Sequence, residues 1–131
     1  MRNILQTSLV AILGTLLLGS GCSQSATMGN ATAKKNRDAF LNLQPGMGPK
    51  DVVEVMGEKP YQGEFLRGKN GEGILVYKYL TRPTPFGTHG EVREQNLTPL
   101  VFVNNVLEGW GWYYLETASE RYGFVIKFKD R

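Results

Sequence analysis

Leu100-Val101-Phe102-Val103-Asn104-Asn105-Val106-Leu107 is the stretch on which the fold turns. Two apolar, β-branched-rich runs flank a pair of asparagines. Asn tolerates positive φ, so Asn104-Asn105 reads as the two-residue turn of a β-hairpin. Upstream, Ile74 to Thr81 has strong strand propensity, and Tyr61 to Leu66 reads as a first strand. Gly68-Lys69-Asn70-Gly71-Glu72-Gly73 is the turn between them. It lacks the Lys-Ser/Thr of a phosphate loop. Downstream, Trp110, Trp112 and Tyr114 alternate with Gly109, Gly111 and Tyr113, which continues the returning strand. Tyr122, Phe124, Ile126 and Phe128 alternate with Gly123, Val125, Lys127 and Lys129, and predict a last, lysine-defended edge strand. Arg82 to Asn96, with Pro83, Pro85, Gly87 and Gly90, reads as a long loop.

Helical patterning precedes the strands. Ala39, Phe40 and Leu43 suit a short helix over 36–43, which Pro45-Gly46 ends. Gly48-Pro49 opens a second helix, because proline at the first helical position has no N–H to waste. Asp51 sits in its positive first turn, and Val52, Val55 and Met56 form the inward stripe. Gly57 offers the left-handed exit and Pro60 blocks re-entry. The expected class is α+β: two short N-terminal helices on one face of a three-to-five-stranded antiparallel meander.

The leader reads differently. The apolar run Leu9–Leu18 falls short of the roughly 20 residues of a spanning helix. It ends at Gly19-Ser20-Gly21-Cys22, with Arg2 ahead of it and no acidic residue before the cysteine. This resembles a bacterial lipoprotein signal, which implies acylation of Cys22, a palmitate-type anchor and an outer-membrane, periplasm-facing location. Ordinary secretory cleavage near Gly21 or Ala26 is the alternative, and both readings export the chain. The expected organisation is a signal peptide over 1–21, a flexible lipid-anchored tether over 22–35, and one domain over 36–131. The tether reading rests on the small, polar, aperiodic run Ser23–Lys35. Cys22 is the only cysteine, so no internal disulfide forms within the chain.

The order Gly46-Met47, a short helix with Val53, Met56-Gly57 and Pro60, an aromatic strand, then the Phe102…Leu107 hairpin is similar to the BamE (SmpA/OmlA) lipoproteins. Their fold is shared with β-lactamase inhibitor protein. The resemblance spans about residues 38–116. It implies a non-enzymatic envelope module that binds another protein, in outer-membrane protein assembly or envelope integrity. An inhibitor-like or ligand-sequestering domain is the second reading.

Chemistry-bearing residues are sparse. The formal net charge of +3 is too small to argue for nucleic acid. His89 is the single histidine, with no second ligand for a metal and no evident nucleophile to serve. No cofactor is expected. Glu91 and Glu94 flank Arg93 and read as a solvated loop. The residues expected to meet a partner are Phe86, His89 and Arg93 in the long loop, with Trp110, Trp112 and Tyr113. Trp110, Trp112 and Tyr114 are expected to share one side of a strand, which fills the core or, on the other reading, forms an aromatic binding face, and Tyr113 to take the other side.

Overall fold

The computed structural model describes residues 24–84 and 91–128. The elements are α1 (Gln24–Phe40), α2 (Pro49–Met56), β1 (Gln62–Arg67), β2 (Gly73–Leu80), β3 (Leu97–Val103), β4 (Val106–Trp110) and α3 (Trp112–Tyr122), with a short 3₁₀ turn at Glu94–Asn96. The class is α+β. The four strands form one antiparallel meander in the order β1-β2-β3-β4.

The hairpin forms where it was expected. Asn104 and Asn105 have φ of 49° and 64°, the paired positive values of a two-residue turn that follows strand twist. Register then fixes the faces, since side chains alternate along each strand. Tyr79, Leu100, Phe102 and Leu107 share one face, where they pack with Leu43, Val52 and Met56 beneath α1 and α2. Ile74, Val76, Val101 and Val103 occupy the other, with Leu115, Ala118 and Phe124. Helix α2 matches its sequence signals. Gly48 N–H donates to Asp51 Oδ2 at 3.2 Å, and Gly57 leaves the helix at φ 71°.

Three expectations are corrected. The segment expected to be a tether is helical from Gln24, so α1 reaches well back from the expected 36–43 helix. Its anchor is tertiary. Ala33 is fully buried against Leu80 and Leu97, Asn36 Nδ2 donates to Leu80 O at 2.8 Å, and the Arg37 guanidinium donates to Thr81 O. Lys34 and Asp38 add an exposed i,i+4 pair.

The second correction concerns the aromatic row. The strand stops at Trp110, because Gly111 takes φ +97° and turns the chain into α3. Leu115, Ala118 and Tyr122 then face inward at helical spacing. Trp112 and Tyr114 therefore pack on the α3 side of the sheet, whereas Trp110 packs on the α1/α2 side. They do not share one side, but Tyr113 is set apart from them, as expected. Third, no strand forms after Tyr122 among the described residues. Phe124 is buried, Ile126 and Phe128 are half-buried, and Val125 and Lys127 are exposed. The period-2 burial is real, but this segment lies against the sheet face rather than on its edge. Helices therefore cover both faces, not one.

A bulge aims β4 at α3. Val101 pairs with Gly109 but Phe102 with Leu107, which leaves Glu108 as the extra residue. Glu108 then accepts hydrogen bonds from Tyr114 Oη at 2.8 Å and Tyr122 Oη at 2.5 Å. Beside it, Gly109 is required by close approach: a Cβ there would sit 2.7 Å from the Tyr114 ring. Burial, then the Glu108 hydrogen bond, pushes the Tyr114 hydroxyl up to about 12. The same carboxylate raises Tyr122.

Candidate functional site

On the α3 face the sheet changes character along one strand. The row Ile74, Val76 continues to Lys78, a lysine at a fully enclosed position with 4% exposure. A buried ammonium needs a partner. It finds Glu94, from the 3₁₀ turn, at 2.9 and 3.1 Å. Lys78 Nζ also lies 5.3 Å from the centroid of the Trp112 ring, a cation–π distance. Trp112 is held in turn by its indole N–H, which donates to Leu97 O at 2.9 Å.

Buried Asn96 clamps the two ends of the long loop together. Its backbone carbonyl accepts from Thr81 and Arg82 N–H, each at 3.0 Å. Its Oδ1 accepts from Arg93 N–H at 3.0 Å, and its Nδ2 donates to Pro83 O at 3.0 Å. Arg82 and Arg93, far apart in sequence, are thereby mounted at one place. Between them and α3 opens a cleft of about 380 Å³, lined by Arg82, Arg93, Glu94, Gln95, Trp112, Glu116 and Phe128. The Trp112 and Phe128 rings are 5.8 Å apart and tilted by 40°, a continuous aromatic wall. A second hollow, about 430 Å³, lies beside the same ion pair, lined by Gln62, Gly63, Glu64, Val76, Lys78, Glu94 and Lys127.

The arrangement offers charged forks beside aromatic rings. Of the buried ion pair, Glu94 lines this cleft and is neutralised by Lys78, which lines the second hollow, and the two arginines are exposed. Arg presents a planar fork of donors suited to carboxylates, and an aromatic wall suits apolar groups. Among the described residues no group of three or more His, Cys, Asp and Glu side chains is placed to hold a metal ion.

A family model described as "Protein of unknown function (DUF3192)" matches residues 15–117. The chain belongs to the DUF3192 family. The DUF3192 match takes in the whole sheet and, of the cleft, every lining residue but Phe128. No match was found among curated proteins or among solved structures.

Of the residues singled out in the sequence, Arg93 and Trp112 meet in the cleft. Trp110 does not: it stands edge-on to Phe40 on the opposite face, with centroids 6.4 Å apart. Tyr113 points outward from α3, 84% exposed, away from the half-buried Trp112. Cys22, Phe86 and His89 lie outside the described residues. Glu94 is not the solvated loop residue expected, since its side chain is only 11% exposed. Arg82, Lys78, Gln95, Glu116 and Phe128 escaped the sequence reading. Lys78 carried a usable signal: it is the one charge inside the apolar run Ile74–Leu80.

Proposed function

We propose that this DUF3192 protein is an exported, lipid-anchored envelope module that binds another protein through the cleft between the Asn96 clamp and α3, without catalysing a reaction. The observation that carries this reading is the convergence of Arg82, Arg93, Trp112 and Phe128 around one concave surface above an internally neutralised ion pair. Polar forks on fixed mounts beside aromatic rings are what interface anchors are made of. The lipoprotein-like leader supports the location: acyl chains on Cys22 would hold the domain at the periplasmic side of the outer membrane. The order of two helices before a meander supports kinship with the BamE-like modules, and with it a role in outer-membrane protein assembly or envelope integrity. Tethering raises local concentration, so modest contacts suffice.

The test has two arms. Cys22→Ala is expected to move the protein from the membrane to the soluble fraction with its fold intact. Retention of that variant on membranes at high salt would contradict the anchor. Purification of the full chain from envelopes is expected to recover a protein that is lost when Arg82→Ala, Arg93→Ala and Trp112→Ala are combined. Turnover of a substrate by the purified chain would contradict the binding reading.

A further inference from the structure

Resting on that reading of the cleft, we infer that its ligand is a polypeptide segment carrying carboxylates next to an apolar side chain. Glu94, which lines the cleft, is paired with Lys78, so it contributes little net charge there. Arg82 and Arg93 are exposed, and neither guanidinium has a carboxylate partner among the described residues. Their backbones are held together, because both are hydrogen-bonded to Asn96. Two neighbouring forks without an acid partner among the described residues favour an anion from outside.

The wall below them is apolar and aromatic. Trp112 is fixed through Leu97 O, and Phe128 extends its surface. A bare phosphate would use the forks and leave this wall idle. A carboxylate-bearing segment uses both when an apolar residue follows the acid. The volume, about 380 Å³, holds a few side chains and not a folded element. Glu116 stands on the α3 wall of the same cleft. It repels an acidic ligand, so the segment's carboxylates sit on the arginine side. This gives the proposal a sign that a general loss of structure cannot imitate: removing the Glu116 charge tightens binding.

The experiment uses the full chain in a Trp110→Phe background. The chain has two tryptophans, so this leaves Trp112 as the sole fluorescent reporter. The probe is the peptide acetyl-Gly-Asp-Glu-Phe-Gly amide, with acetyl-Gly-Asn-Gln-Phe-Gly amide as its neutral counterpart. The acidic peptide is expected to change Trp112 emission saturably, and the neutral one to bind roughly tenfold more weakly, as two part-exposed charge pairs imply. Arg82→Ala with Arg93→Ala should remove that preference, salt should erode it, and Glu116→Gln should tighten binding of the acidic peptide. Equal affinity for both peptides, weaker binding in Glu116→Gln, no response to either peptide, or competition by inorganic phosphate as effective as by the peptide would each overturn the inference. If the peptides fail while the arginine-dependent envelope partner is still recovered, the ligand class is wrong and the cleft reading stands. If both fail, the cleft reading falls too.

Discussion

The two faces of this sheet are built on different principles. Under α1 and α2 the sheet is sealed by Tyr79, Leu100, Phe102 and Leu107, and the buried Tyr79 is satisfied there, its hydroxyl donating to Glu58 O at 3.1 Å. Under α3 the apolar packing covers only part of the sheet. It gives way to the Lys78–Glu94 pair and an open cleft. The first face uses its surface for stability. The second leaves part of its surface uncovered, in the cleft proposed to bind a partner. A buried ion pair is weak evidence for stability, since an apolar pair of similar size often does as well. Among the described residues such a pair is found on this face alone, beside the cleft proposed to bind a partner.

The sharpest way to break this contrast is to empty both faces in parallel. Phe102→Ala should destabilise by about 3–5 kcal/mol in urea unfolding, through lost burial and the cavity left behind. Lys78→Met should also cost about 3–5 kcal/mol, but by stranding the Glu94 carboxylate. The two then diverge: adding Glu94→Leu to Lys78→Met should restore most of the loss. If the double variant is no better than the single one, the pair is not the self-contained unit described. Next in size, Gly109→Ala should cost about 1–3 kcal/mol by forcing the Tyr114 ring off the bulge, and a neutral result would contradict that close packing.

Alkali sharpens the comparison further. Burial lifts Tyr79 on the sealed face to about 12, and Tyr114 on the other face reaches about 12 with the help of Glu108. Both start from an ordinary value of 10.0. Raised pKa values in the folded state favour the protonated phenols. Their contribution is therefore complete below pH 10 and is lost as pH rises from there through about 12. Tyr114→Phe should flatten its share of that decline, measured by unfolding at a series of alkaline pH values. Glu108→Gln should shrink the same share without touching that of Tyr79. The smallest effect is expected at the cleft mouth: Arg82→Ala or Arg93→Ala should change stability by no more than about 0.5 kcal/mol, since both side chains are exposed.

Local punctuation made part of this fold legible. Asn104-Asn105 sets the hairpin, and Gly48-Pro49 with Gly57 frames α2, because each acts on its own backbone. Helix α3 was hidden by a coincidence of periods. Trp110, Trp112 and Tyr114 alternate as a strand would, while the helical set Leu115, Ala118 and Tyr122 begins inside the same stretch. Helix α1 carries almost no apolar stripe. Its contacts at Ala33 and Asn36 reach Leu80, 44 positions from Asn36, and no local pattern announces that. The cleft followed the same division. Arg93 and Trp112 stood out by residue type. The partnership of Lys78 with Glu94 depends on how the segment between β2 and β3 folds back, and only the Asn96 clamp reveals it.

Photo-cross-linking from two sites in intact cells tests the account most directly. A photoreactive residue at Gln95 reports on the cleft, and one at Leu41, 85% exposed just beyond α1, reports on the sealed side. A discrete protein adduct is expected from position 95 that vanishes when Arg82→Ala and Arg93→Ala are added, with no such adduct from position 41. An adduct from position 41 alone, or one at position 95 that persists without the arginines, would contradict it.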